Sequence, residues 1–600
     1  MAWYDEAVFY HIYPLGLTGA PRQNSYGTPV HRLRALRPWI GHIRHLGCSA
    51  LYIGPLFESV GHGYETTDYK KLDSRLGTNE DLTSFVQECH RQGIRVILDG
   101  VFNHTGRDFF AFRDLLLNRE NSPYRDWYCG VNFWGNNEYN DGFSYENWGG
   151  YNLLVKLNQR NPAVRDYICD VIRFWVDTFD IDGIRLDAAD VLDFDFMKAL
   201  RHTANTVKPD FWLMGEVIHG DYSRWANHDT LHSVTNYMLH KGLYSGHNDY
   251  NYFEIAHTIR YLGGMTGNSP GGLKLYNFVD NHDVERISTK LRTKAHYAPV
   301  HILLYTLPGI PSVYYGSEFG IEGRKERGSD DSLRPSLRLE DFPPASEWSF
   351  CSEDMAPDTV SAPSPEEDAP WQIPCSQAGP VSGLDPAGCC RLISALGHIR
   401  QQTPALSLGS YEQLMLTNRQ FAFARDWNGS RVIVMVNNDE NPAELTTAAR
   451  AAAYKGALSG RMVSVENGLL HVTLDGCSGE IWLPQEENRP EDVSSPVHDL
   501  SAAQETETNS FKVTAEPETS APDTDLADHA EDVSESPDKG REDSPVVIPD
   551  VPYEEMTVSE LQAVILRKLS QNGPLTEKMR ADVQQNVWHD SLVNWAKSFR

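Results

Sequence analysis

For the first 320 residues, short apolar runs alternate with amphipathic stretches. Runs of four to nine residues read as strands: 7–14, 50–55, 94–102, 183–189, 212–217, 274–281 and 312–318, with a weaker eighth around Val234 to Met238. Between them lie segments with helical periodicity. "TNEDLTSFVQECHRQG" has a polar start, an apolar stripe and a closing glycine, and "NPAVRDYICDVIRFWVDTFD" places a proline in its first turn. Strand–helix alternation of this kind predicts a parallel sheet. Eight repeats over this length predict an α/β fold of the closed (β/α)8, or TIM-barrel, type. A doubly wound dinucleotide fold is disfavoured, because no G-x-G-x-x-G loop follows the first strand.

The pattern is interrupted twice. Residues 105–157, after the third strand, are rich in aromatics, including Trp127, Trp134, Tyr139, Trp148 and Tyr151. Loops after barrel strands build the active face, so this insertion is expected to be functional. Residues 340–388, rich in Pro, Ser and acids, read as an irregular surface loop. The organisation expected is a barrel over 1–104 and 158–405, an inserted domain over 105–157, and an antiparallel β domain over 406–485. The last includes a hairpin at "WNGS". Residues 486–550 are expected to be a disordered acidic linker. Residues 551–600 predict a small helical module, with Thr557 and Glu560 as a capping box, Leu561, Val564, Ile565 and Leu569 as an apolar stripe, and Gly573 as a stop.

Charge and cysteine content narrow the function. The formal net charge is −30, and nineteen acids against four bases in 486–550 account for half of it. No basic cluster offers a surface for nucleic acid or anionic membranes. Nine dispersed cysteines, the lack of a leader-like start and the lack of a membrane-length apolar run predict a cytoplasmic protein with reduced thiols. The terminal helical segment is the candidate contact for a protein partner.

The residues at the strand ends carry the chemistry. Asp99, Asn103 and His104 close the third strand, Arg185 and Asp187 the fourth, Glu216 the fifth, and His282 and Asp283 the seventh. In a parallel barrel these ends converge on one face. Any one such residue could be a structural ion pair or a cap; gathered like charges are costly unless they serve a purpose. Paired carboxylates suit glycoside hydrolysis, with one attacking the anomeric carbon and the other protonating the leaving oxygen. Arg185 is expected to keep Asp187 ionised, and neighbouring charge to raise the pKa of one acid. A metal hydrolase is the runner-up, but H-E-x-x-H is absent.

"DGVFNH", "GIRLDAAD", "GEVIHG" and "FVDNHD", in that order, resemble the four signature segments of the α-amylase family, glycoside hydrolase family 13. "GHGYETTDY" and "TLPGIPSVYYGSEFG" resemble flanking segments, so the resemblance covers about residues 3–480. It implies Asp187 as nucleophile, Glu216 as acid/base and Asp283 as the third acid. It further implies Arg185 as positioning partner, His282 and His104 as sugar ligands, and Tyr64 as stacking platform. The two working carboxylates of such retaining enzymes lie about 5 Å apart. "LVKLN" (154–158) resembles the "MPKLN" of the neopullulanase and cyclomaltodextrinase branch, and "DDSLRPSL" implies Asp330 and Arg334 at the sugar end. That branch carries an N-terminal β domain, whereas the first strand here begins within ten residues of Met1; its cyclodextrin preference and dimer are not carried over. The chemistry needs no cofactor. Asn103 matches a position through which many members bind calcium, which makes structural calcium an expectation.

The function expected is therefore retaining hydrolysis of α-glucosidic bonds in maltodextrins. Transglycosylation and disaccharide isomerisation use the same residues. An inactive binding or scaffold protein is the alternative from another class.

Overall fold

A computed structural model describes residues 2–266, 272–350, 371–377, 383–485 and 558–571. The chain divides into two units, residues 1–494 and 495–600.

Eight strands form the first sheet: β1 (Phe9–Ile12), β2 (Ala50–Ile53), β3 (Arg95–Gly100), β4 (Gly183–Leu186), β5 (Trp212–Gly215), β6 (Ser233–Val234), β7 (Tyr276–Phe278) and β8 (Ile310–Tyr314). Their order is β6-β5-β4-β3-β2-β1-β8-β7, and every pairing is parallel. The ring closes between its two edges. Thr235 bridges to Tyr276 in parallel, and the Asn236 amide donates to the Tyr276 carbonyl at 2.9 Å.

The strands are mostly apolar because both faces are covered, with Asp99 and Arg185 among the exceptions. Their period-two alternation sorts them. Phe9, Tyr52, Ile97, Trp212, Met214 and Phe278 share one compact buried cluster, whereas Val8, Tyr10, Leu51, Leu98 and Leu213 join the larger core with the helices.

The helices start and stop where their signals lie. α1 (Asn79–Arg91) opens on a capping box of Thr78 with Asp81, and Gly93 beyond it takes φ +71°. α2 (Pro162–Phe179) opens with Asn161, whose side chain accepts from the Ala163 amide, and ends on Asp180 at φ +57°. α3 (Phe194–Val207) follows β4 with Asp193 as its cap. The weak eighth strand is shorter than expected. β6 is two residues long, and Tyr237 and Met238 already belong to α4 (Tyr237–Asn248), because the Asn236 side chain caps it through the Leu239 amide.

In the inserted segment, His104–Thr105 pairs antiparallel with the strand Tyr151–Lys156, which also pairs with Asn147–Trp148. Tyr128, Phe143 and Tyr145 are buried there, while Trp134 is 97% exposed and Tyr151 68%.

Of the stretch 340–388 expected as a surface loop, residues 351–370 and 378–382 lie outside the described residues, and the described parts are anchored by aromatics. Trp348 is buried, with its ring edge-on to His42, and the Arg32 guanidinium lies 4.0 Å over Trp371. Its aromatic anchors outweigh its polar composition.

Beyond the barrel, β9 (Ser410–Leu416), β10 (Gln420–Trp427), β11 (Ser430–Asn437), β12 (Ala443–Ala448), β13 (Ala453–Gly456), β14 (Met462–Ser464), β15 (Leu469–Leu474) and β16 (Ser478–Gln485) form two antiparallel sheets, β9-β10-β11-β16-β13-β14 and β12-β15. The β10–β11 hairpin turns on Asn428 and Gly429, both at positive φ.

The second unit contains one described helix, Val558–Gln571. The linker 486–550, Thr557, Gly573 and the second amphipathic piece lie outside the described residues. No helix among the described residues is long and apolar enough to cross a membrane.

Candidate active site

β4 runs between β3 and β5, in a register that sets Asp99 beside Arg185 and Arg185 beside Met214. The consequence is a cation among acids. Arg185, 3% exposed, donates through one terminal nitrogen to Asp99 at 2.9 Å and to Asp187 at 3.0 Å. Its other terminal nitrogen pairs with Glu216 at 2.8 Å. One positive charge thus serves three carboxylates from three strands.

The turn after Asp187 adds a fixed donor. Ala188 adopts φ +46°, a left-handed conformation uncommon for a residue with a side chain, and its amide donates to Glu216 Oε2 at 3.1 Å. Glu216 Oε1 accepts from the Tyr237 hydroxyl at 3.3 Å, and the Asn281 amide donates to that hydroxyl at 3.3 Å.

The end of β7 supplies the other half. His282 Nε2 lies 3.0 Å from Asp283 and 2.5 Å from the Tyr64 hydroxyl. The rings of Tyr64 and Tyr13 lie nearly parallel to His282, at centroid distances of 5.7 and 6.0 Å. The Tyr64 hydroxyl donates to Asp99 at 3.1 Å, joining both halves. Arg334, from the loop after β8, donates to Asp283 at 2.7 Å and to the His282 carbonyl at 3.0 Å, and pairs with Asp330 at 3.1 Å.

The electrostatics differ from expectation at Asp187. Burial, opposed by Arg185 and reinforced by Glu216, Asp99 and Asp283, pushes its carboxyl well above the usual range. Arg185 opposes the rise, but its single charge is divided among three acids. The cluster therefore retains a proton as a unit. At Asp283, burial acts upward, but His282, then Arg334 and Arg185, hold the carboxyl well below the usual range. Burial brings His104 down to about 3, so it is neutral.

Asp187, Glu216, Asp283, Arg185, His282, Tyr64, Asp330 and Arg334 thus form one connected network. His104 sits at its edge, with Nε2 3.1 Å from the Tyr64 carbonyl. Strand-end reasoning missed Tyr237, Tyr52 (which donates to Asp99 at 2.8 Å) and Lys325 (which donates to the Asp283 carbonyl at 3.0 Å). Tyr237 was legible in principle: it stands three residues beyond β6, at the same end of the barrel as the acids.

Asn103 does not fit a calcium ligand. Its side-chain oxygen accepts from Gln159 at 3.2 Å, so a donor N–H group already stands against that oxygen and opposes a cation there. Among the described residues, no three His, Cys, Asp or Glu side chains are grouped to hold a metal.

Comparison with known proteins agrees with this geometry. The family model "Alpha amylase, catalytic domain" matches residues 33–347. A cyclomaltodextrinase from a Bacillus species is 28% identical over 487 residues, which are 77% of this chain and 78% of that protein. Neopullulanase 2 of Thermoactinomyces vulgaris is 33% identical over 360 residues, covering 56% of this chain and 59% of its own. The structure of a debranching enzyme from Nostoc punctiforme superimposes with a TM-score of 0.62 at 25% identity, covering 80% of this chain and 98% of that one. The match of the family model to more than half the chain, on a closed eight-stranded barrel with its acids at the strand ends, shows that the chain belongs to the alpha-amylase family.

Proposed function

We propose that this protein hydrolyses α-glucosidic bonds in maltodextrin-sized oligosaccharides with retention of configuration. The observation that carries the reading is Arg185, whose one guanidinium joins Asp187 and Glu216 at adjacent strand ends. It holds that pair of carboxylates on one guanidinium. Relatives named cyclomaltodextrinase and neopullulanase support the substrate class.

In the first step Asp187 attacks the anomeric carbon while the bond to the leaving oxygen breaks, and the proton on Glu216 passes to that oxygen. In the second step water attacks the anomeric carbon, Glu216 takes its proton, and Asp187 is released. The proton held by the acid cluster supplies the first transfer. Asp283 and His282 bind the sugar hydroxyls and favour the distorted ring, with Tyr64 against its face. The exposed aromatics of the insert offer faces on which a neutral glucan can stack.

We place the protein in the cytoplasm. All the described cysteines are free thiols, including the adjacent, buried Cys389 and Cys390.

The test is product analysis on maltotriose, pullulan, cyclodextrin and panose, following the anomer released first by NMR. Release of the α-anomer, and its near abolition in Asp187→Asn, is the expected result. A β-anomer product or full turnover by Asp187→Asn would refute the reading, and accumulation of longer oligosaccharides would reassign the chain as a transglycosylase.

A further inference from the structure

Asn103, His104 and Gln159 meet where the inserted segment leaves and rejoins the barrel. The Leu157 amide donates to the Asn103 carbonyl at 3.0 Å, which places Gln159, 7% exposed, directly against the Asn103 side chain. Four hydrogen bonds run through this point in sequence. The Asp193 backbone amide donates to Gln159 Oε1 at 2.6 Å, and Gln159 Nε2 donates to Asn103 Oδ1 at 3.2 Å. Asn103 Nδ2 then lies 3.3 Å from His104 Nδ1, and His104 Nε2 lies 3.1 Å from the Tyr64 carbonyl.

The direction of this chain is fixed by its ends. A backbone N–H can only donate and a backbone carbonyl can only accept. Gln159 must therefore accept through Oε1 and donate through Nε2, Asn103 must do the same, and His104 must carry its proton on Nε2. No carboxylate enters. The Asp193 carboxylate accepts at one oxygen from the Asp195 and Phe196 amides and at the other from Arg160, so it is committed to the start of α3.

We propose that Gln159 does in this protein what a bound cation would do at Asn103: it ties the inserted segment to β3 and α3, and through Asn103 it holds His104 as the Nε2–H tautomer, so that neither fold nor cleft requires calcium. A cation at Asn103 Oδ1 would face the Gln159 N–H group and would require that group to turn away, breaking both hydrogen bonds that Gln159 contributes to the relay. The calcium independence rests on this geometry alone. The effect on sugar binding rests in addition on His104 being a sugar ligand, as the family resemblance implies.

The experiment uses the full chain, exchanged into EDTA and then given excess calcium chloride. Thermal melting and maltotriose kinetics should superimpose in the two conditions. Gln159→Ala should melt lower in both conditions, and protease should cut within 105–157 sooner. Gln159→Glu keeps the acceptor facing Asp193 and removes only the donor facing Asn103; it should raise KM with kcat little changed. A wild type that melts lower in EDTA and recovers with calcium would overturn the proposal. So would a Gln159→Ala protein whose melting and proteolysis match the wild type. If Gln159→Ala does not fold, the wild-type EDTA comparison and the KM of Gln159→Glu still decide.

Discussion

Arg334 donates to Asp283 across 2.7 Å, although fifty-one positions separate them in the chain. The loop after β8 thus returns over the end of β7, and a guanidinium only 12% exposed in its side chain helps keep a part-buried carboxylate charged. The same arginine holds the His282 carbonyl, so it sets the backbone from which both β7 residues project.

Arg334→Ala is therefore expected to lower kcat/KM about 100-fold, the scale for removing one preorganised charged partner. The sign of its pH effect follows from Asp283, whose folded pKa lies below its unfolded value. The stability it contributes is full above the unfolded carboxylate range and is lost as pH falls through the folded pKa. Removing Arg334 raises that folded pKa, so the variant should lose its acid-side stability at a higher pH. Melting temperature measured from pH 3 to 7 checks this.

Arg185→Met leaves Asp99, Asp187 and Glu216 facing one another without their shared cation. Removing one partner of a buried ion pair costs about 3–5 kcal/mol. The Asp187 carboxyl, already raised, loses the charge that opposed the rise, and a group raised on folding contributes stability that is lost as pH rises. The variant should therefore unfold more readily at pH 8 than at pH 5, and denaturant midpoints at the two pH values measure the difference.

Tyr237→Phe removes the hydroxyl that donates to Glu216 Oε1. An ordinary hydrogen bond contributes about 0.5–1.5 kcal/mol, so kcat should fall about 2- to 10-fold with KM little changed. Steady-state kinetics with an unchanged melting temperature would separate this from a folding defect.

Glu216→Gln should lose about 10²- to 10⁴-fold in kcat on maltotriose, the range for general acid–base catalysis. On an α-glucoside whose leaving group is already acidic, such as a nitrophenol, the loss in the first chemical step should be smaller, because that group needs no proton. An equal loss of the first step on both substrates, read from the burst phase, would count against Glu216 as the proton donor.

Much of the site was legible because its residues sit at the ends of strands. Arg185 and Asp187 are two apart, so an extended chain aims them the same way. The eight apolar runs recur with helix-like spacers, so their acids were bound to gather on one face. The two-residue β6 was the weak point. Such a strand leaves almost no alternation to detect, and Tyr237 was lost with it. The described parts of 340–388 were hard to read for the opposite reason: their composition is that of a loop, but Trp348 and Trp371 anchor them.

What the sequence determined by itself is which residues lie on strands, which on helices, and that the strand ends share a face, because backbone periodicity and capping are local. Only the tertiary structure decided how charge is divided. One guanidinium shared among Asp99, Asp187 and Glu216 leaves Asp187 raised, while His282 and Arg334 leave Asp283 lowered. Coulomb interactions and desolvation depend on distance and burial, and those arise from elements far apart in the chain.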